Sequence, residues 1–250
     1  MQLCKIATKT LIPNEAWCIQ EICMRVLSLC KSNFRKDGVC VHSPIIKLGL
    51  HNDMYLSNNL LDLYAKCFGV EHAQLFFDEM PQKDVVSWTS ILSANVKSGY
   101  HQKALEIFGM MLYSRQCPNE FTLSTALRSC SDMGESEYGA QIHAFMVKLG
   151  FEQNLYVNTT LIDFYTSCDY YVEAYKLLSS MDNSDAISWT TMISSLAESE
   201  KWSEAIHLYI QMIKASVYPN EFTFVKLLGA SCFIGLNYGK LLSTHIHLYC

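Results

Sequence analysis

The chain repeats itself at a fixed interval, and that constrains its fold more than any other feature. Ser87-Trp88-Thr89 returns as Ser188-Trp189-Thr190, Pro118-Asn119-Glu120-Phe121 as Pro219-Asn220-Glu221-Phe222, and Lys47-Leu48-Gly49 as Lys148-Leu149-Gly150, always 101 residues on. Asp62, Tyr64, Cys67 and Met80 recur as Asp163, Tyr165, Cys168 and Met181 at the same offset, so the agreement runs through the whole interval. Self-similarity of this kind signals stacked structural units, and it has to be recognised before any element is assigned.

The long interval divides into shorter units starting at Met54, Val85, Glu120, Leu155, Ala186 and Glu221, with lengths of 31, 35, 35, 31 and 35 residues. The expected organisation is an N-terminal segment over 1–18, then units over 19–53, 54–84, 85–119, 120–154, 155–185 and 186–220, with an incomplete one over 221–250. That last unit holds 30 residues, which predicts a chain that is a fragment or the front part of a longer protein.

Inside a unit the apolar residues fall at helical spacing. Trp88, Ile91, Leu92 and Val96 form one stripe, Ser98-Gly99 interrupts it, and Ala104, Leu105, Phe108, Met111 and Leu112 form a second before Pro118. Leu161, Ile162 and Tyr165 followed by Ala174, Leu177 and Leu178, and then Met192, Ile193 and Leu196 followed by Ala205, Ile206, Tyr209 and Met212, repeat the design. A two-helix hairpin cannot bury both stripes alone, whereas stacked hairpins share a continuous core. The expected fold is therefore an all-α solenoid whose concave face carries the first helix of each pair.

Composition removes several classes of function. Half the residues are hydrophobic and 17% are charged, which excludes a disordered chain. No apolar run reaches the roughly 18 residues that a membrane span needs, so no membrane partner is expected. The net charge of -5 argues against binding nucleic acid through a broad positive field. The eleven cysteines are an odd number with no Cys-x-x-Cys spacing and read as reduced, small core residues. None of the eight histidines is followed two residues later by Glu, so the zinc-deaminase pattern is missing, and His245 and His247 near Cys250 lack a partner cluster at ligand spacing. With no Walker loop or nucleophile elbow either, the expectation is a non-enzyme without metal or cofactor.

Alternating units of 31 and 35 residues resemble pentatricopeptide repeats of the plant type that interleaves P, L and S motifs. The resemblance rests on Val85-Val86-Ser87-Trp88-Thr89 in P-like motifs and on Leu61-Asp62-Leu63-Tyr64-Ala65-Lys66-Cys67 and Phe77-Asp78-Glu79-Met80-Pro81 in S-like motifs. In L-like motifs it rests on Gly139-Ala140-Gln141-Ile142-His143 with Lys148-Leu149-Gly150. It makes 19–53, 120–154 and 221–250 L-like, 54–84 and 155–185 S-like, and 85–119 and 186–220 P-like.

The family resemblance implies a right-handed α-solenoid that binds single-stranded organellar RNA, one nucleotide per repeat, through the fifth and last residues of each motif. The base-reading pairs become Asn58 with Asp84, Thr89 with Asn119, Ser124 with Asn154, Thr159 with Asp185 and Thr190 with Asn220, all small and polar. By the family's code they imply 5′-UAAGA-3′, while Cys23 with Asp53 in the first unit has no assignment. The second residues, Tyr55, Val86, Phe121, Tyr156, Ile187 and Phe222, are implied to sandwich the bases, against the plainer expectation that they pack at the helix starts. The family further implies a mitochondrial or chloroplast location and C-to-U editing through a deaminase or other editing factor outside these 250 residues. The rival expectation is a helical scaffold that grips peptides in the manner of tetratricopeptide repeats.

Overall fold

The computed structural model describes His42, Ile45 and residues 52–181 and 186–234, with the side chains of 229–234 excepted. Every regular element among these residues is helical. In chain order they are α1 (Met54–Cys67), α2 (Val70–Glu79), α3 (Val85–Lys97), α4 (His101–Tyr113), α5 (Glu120–Met133), α6 (Ser136–Lys148), α7 (Leu155–Ser167), α8 (Tyr171–Ser180), α9 (Ala186–Glu198), α10 (Trp202–Lys214) and α11 (Glu221–Ile234), with a 3-10 turn over Phe151–Gln153. The chain forms two compact units, residues 1–129 and 130–250.

Five of the described first helices, α1, α3, α5, α7 and α11, start where a side-chain oxygen satisfies a free backbone N–H group. Asp53 Oδ1 accepts from Leu56 N at 2.9 Å, Asp84 Oδ1 from Ser87 N at 2.8 Å and Asn119 Oδ1 from Thr122 N at 2.9 Å. Asn154 Oδ1 accepts from Val157 N at 3.1 Å and Asn220 Oδ1 from Thr223 N at 3.0 Å. Asp and Asn are strong N-caps for this reason, each contributing about 1 kcal/mol relative to Ala. At α3 the cap is reciprocal, with Asp84 N donating to Ser87 Oγ at 2.9 Å.

In the first unit α1 packs on α2 and α3, and α3 on α4. Trp88, Ile91, Leu92, Ala104, Leu105, Phe108 and Met111 are buried between these helices. Phe77 and Trp88 meet edge to face across the α2/α3 junction, their ring centroids 4.8 Å apart. In the second unit α7, α9 and α11 pack in succession, with α8 and α10 on their flank. Here Met192, Ile193, Leu196, Ala205, Ile206, Tyr209 and Met212 make up much of the core. Each unit is thus a short α-solenoid of stacked helical hairpins, built from the apolar stripes anticipated in the sequence.

Two details differ from the stripes read in the sequence. Asn95, not Val96, is the buried residue at the end of α3, and it satisfies its amide by donating to Ile91 O at 2.9 Å. The cysteines also divide. Cys130 is buried, while Cys117 is exposed and Cys168 is only partly covered. Burial first, with Cys168 and Glu135 nearby, pushes the Cys130 thiol up to about 12, so it stays protonated as a core residue. The segments 1–18 and 235–250, most of 19–53, and with them Cys23, His245, His247 and Cys250, lie outside the described residues.

Candidate nucleic-acid interface

In three of the five pairs the residue five positions into a first helix and the cap of the next first helix come together. In the first unit Asn58 on α1 donates Nδ2 to Asp84 Oδ1 at 3.2 Å and to Oδ2 at 3.3 Å. The carboxylate fixes which way the amide points, since the opposite orientation would set two oxygens together. Asn58 Oδ1 is left without a hydrogen-bond partner among the described residues.

Thr89 on α3 reaches the cap of α5 through a hydroxyl. Thr89 Oγ1 lies 2.7 Å from Thr122 Oγ1, and Thr122 Oγ1 donates to Asn119 Oδ1 at 2.8 Å. The second unit repeats this arrangement. Thr190 Oγ1 lies 2.6 Å from Thr223 Oγ1, which donates to Asn220 Oδ1 at 3.0 Å. Thr159 on α7 lies 3.0 Å from Ser188 Oγ, the third residue of α9, while Asp185 is outside the described residues. Ser124 belongs to the first unit, where its side chain is buried, and Asn154 belongs to the second, where it caps α7.

The second residues of the first helices stand in contrast to their neighbours. Tyr55, Val86, Phe121, Tyr156, Ile187 and Phe222 are all exposed, from 49% at Val86 to 66% at Phe222, while the adjacent third residues Leu56, Ser87, Thr122, Val157, Ser188 and Thr223 are buried. Packing at the helix starts therefore does not account for these six. Each of these six described first helices thus presents an exposed apolar side chain on its first turn, next to a buried third residue.

One open groove in the second unit combines both features. It has a volume of about 640 Å³, and its lining includes Thr190, Asn220, Ile187 and Phe222. Lys226 and Glu198 form an ion pair at its rim, and Asp163 also faces it. The groove therefore offers polar edges and apolar walls and not a positive surface, in keeping with the net charge of -5. Among the described residues no group of three or more His, Cys, Asp and Glu side chains is placed to hold a metal ion, and no helix is long and apolar enough to cross a membrane.

The sequence reading missed Thr122 and Thr223, which connect the paired residues, and Ser188, which meets Thr159. The available signal was the recurrence of Ser or Thr at the third place of four units, Ser87, Thr122, Ser188 and Thr223.

Models of pentatricopeptide (PPR) repeats match the chain over residues 55–85, 83–132, 159–185 and 184–232. The chain belongs to the pentatricopeptide repeat family. It is 47% identical over 233 residues to a chloroplastic pentatricopeptide repeat-containing protein of Arabidopsis thaliana, an alignment that covers 93% of this chain and 26% of the relative. A mitochondrial pentatricopeptide repeat-containing protein from the same plant is 32% identical over 204 residues, covering 81% of this chain and 32% of its own length. The chain thus spans about a quarter to a third of these curated relatives.

Among solved structures it superposes on the pentatricopeptide repeat protein PPR10 from maize with a TM-score of 0.67 at 19% identity, covering 98% of this chain and 34% of that one. Its fold also matches PPR10 in complex with an 18-nt psaJ RNA element, with a TM-score of 0.65 at 20% identity, covering 99% and 37% of the two chains. The helical-repeat fold anticipated from the 101-residue interval is the fold of this pentatricopeptide array.

Proposed function

We propose that this chain binds single-stranded RNA in a plant organelle, one nucleotide per repeat, as part of a longer protein that selects sites for organellar RNA processing, C-to-U editing in particular. The observation that carries this reading is the groove whose lining brings together Thr190, Asn220 and the exposed Ile187 and Phe222. A hydroxyl and an amide beside two apolar side chains match the Watson–Crick edge and the faces of an unstacked base.

The other described pairs fit the same reading. Asn58 with Asp84 is the pair assigned to uracil, and the Asp84 carboxylate holds the Asn58 amide in one orientation. The alternation of 31- and 35-residue units supports the interleaved P, L and S organisation, in which editing factors supply chemistry from a further domain or a partner. The chloroplastic and mitochondrial relatives and the RNA-bound PPR10 structure support an organellar RNA ligand.

The test is binding of the chain to fluorescently labelled RNA containing 5′-UAAGA-3′ in a uridine-free, unstructured context, competed with a permuted RNA of equal composition and with a mixture of acidic and basic peptides. The reading expects the permuted RNA to compete at least tenfold less well than the cognate one, and the peptides not at all. Equal competition by both RNAs, or displacement by peptides alone, would replace it with the peptide-gripping scaffold.

A further inference from the structure

The hydrogen-bond chains at Thr89 and Thr190 contain more than the two residues assigned to each base. Thr122 donates both its backbone N–H, at 2.9 Å, and its hydroxyl, at 2.8 Å, to Asn119 Oδ1. Thr223 does the same to Asn220 Oδ1, at 3.0 Å in both cases. A carboxamide oxygen has two lone pairs, so both are filled and the Nδ2 donors are the part of the side chain left for a ligand.

Proton counting fixes the other half of the site. Thr89 Oγ1 has one proton and two protein oxygens in reach, Val85 O at 2.6 Å and Thr122 Oγ1 at 2.7 Å. Whichever oxygen takes the proton, Thr89 meets a ligand as an acceptor. In the second unit either hydroxyl can donate across the 2.6 Å contact, and with the Thr223 proton on Asn220 Oδ1 at 3.0 Å it is Thr190 that donates into it. Thr190 is therefore an acceptor as well. Both hydroxyls at the third position are wholly buried, which shields them from exchange with water.

On this basis, and resting on the RNA reading above, we infer that Thr122 and Thr223 are specificity-determining positioning residues: they set each reading site to one acceptor, the threonine hydroxyl, beside one donor, the asparagine amide. An exocyclic amino group next to an unprotonated ring nitrogen complements that pattern. Adenine presents N6–H beside N1, and cytosine presents N4–H beside N3. Guanine and uracil present a carbonyl beside a ring N–H, the reverse polarity, and are rejected. Asn154 offers a contrast within the same fold. Its helix carries Val157 at the third position, so its oxygen receives the backbone N–H at 3.1 Å and no hydroxyl from that residue.

The test measures the ratio of affinities for RNA with A or G at the second nucleotide of 5′-UAAGA-3′, the one assigned to Thr89 and Asn119, and separately at the fifth, assigned to Thr190 and Asn220. Thr122→Val keeps the side-chain shape and the backbone cap but removes the hydroxyl. Its A/G ratio at the second nucleotide is expected to fall about tenfold, with the ratio at the fifth unchanged as a check on folding, and Thr122→Ser is expected to restore it. Thr223→Val should show the mirror-image result.

An unchanged ratio in Thr122→Val and Thr223→Val, while Asn119→Ala and Asn220→Ala abolish discrimination at their nucleotides, would overturn this inference and leave base reading intact. Absence of discrimination in the unaltered chain, or its persistence in Asn119→Ala and Asn220→Ala, would overturn both. Loss in Thr122→Val that Thr122→Ser does not restore would reduce the hydroxyl to a packing element and also overturn the inference.

Discussion

Asn58 and Asp84 are 26 residues apart in the chain, yet the Asn58 amide donates to both carboxylate oxygens of Asp84, at 3.2 and 3.3 Å. The same carboxylate caps α3 through Ser87 N at 2.8 Å. A residue assigned to base reading thus also holds a helix end, and the two roles are separable by experiment.

Replacing Asp84 with Ala removes the α3 cap and the anchor for Asn58 together. We expect a stability loss of about 1–2 kcal/mol in urea denaturation, the ordinary value of a lost cap with a half-buried neighbour left unpaired. Asp84→Ser retains a capping oxygen and should recover most of that stability. It should not recover the affinity for uracil at the first nucleotide.

Phe222 and Tyr209 are both aromatic residues of the second unit and differ in what they touch. Tyr209 is fully buried, its ring 6.2 Å from that of Phe224, whereas Phe222 is 66% exposed. Tyr209→Ala should cost about 3–5 kcal/mol of stability by leaving a cavity. Phe222→Ala should leave the melting temperature nearly unchanged and weaken RNA binding by about 1–3 kcal/mol, the contribution of one stacking platform. Calorimetry and titration on the same samples separate the two effects.

A paired contact recurs at the 101-residue interval. His42 Nδ1 lies 2.8 Å from Tyr64 OH, and His143 Nδ1 lies 2.7 Å from Tyr165 OH. Burial lowers the pKa of both histidines, with Glu79 acting weakly in the opposite direction on His42. A neutral imidazole accepts from the phenol, and a protonated one cannot. Because each folded-state pKa lies below the unfolded value near 6.5, the unfolded chain takes up the proton first. The stability from these contacts is complete above that value and declines as pH falls beneath it. Thermal melts between pH 7.5 and 5 should show this loss, and a His42→Gln, His143→Gln double variant should show a flatter profile.

The hairpin turns supply a stability prediction that is independent of RNA. Gly99 ends α3 at φ 80°, and Glu200 ends α9 at φ 58°, 101 residues later. The following N–H groups, Tyr100 and Lys201, return to Asn95 O and Leu196 O, each at 2.9 Å, so the two turns share one geometry. A side chain in this left-handed region costs about 1 kcal/mol, partly offset by the greater freedom glycine has in the unfolded chain. Glu200→Gly should therefore raise stability by about 0.5–1 kcal/mol in chemical denaturation. Gly99→Glu should lower it by a similar amount.

Much of the fold was readable because its causes are local and repeated. Trp88, Ile91 and Leu92 sit at helical spacing, Gly99 breaks the stripe, and the 101-residue interval shows that the pattern must stack. The exposure of Tyr55, Tyr156 and Phe222 was implied by the family resemblance and not by the residues alone, since an aromatic at a helix start suits a core as well as a surface. Thr122 and Thr223 were missed for a related reason. A threonine between Phe and an apolar residue looks like an ordinary filler of an amphipathic helix, and its part in a hydrogen-bond chain depends on Thr89 or Thr190, 33 residues away. Asn95 was missed because its amide is satisfied within its own helix, an option that allows a polar residue to occupy the core.

The central claim is that the paired residues choose the base, and it is tested most directly by exchanging one atom group in the groove lined by Ile187, Thr190, Asn220 and Phe222. Asn220→Asp keeps the α11 cap and the side-chain shape while turning the amide donor into an acceptor. Affinity should be measured for four RNAs that differ only at the fifth nucleotide of 5′-UAAGA-3′. The account predicts that the unaltered chain prefers A and that Asn220→Asp prefers G, with no change in melting temperature beyond that of a conservative cap replacement. An unaltered order of preference in the variant, or no preference in either protein, would contradict it.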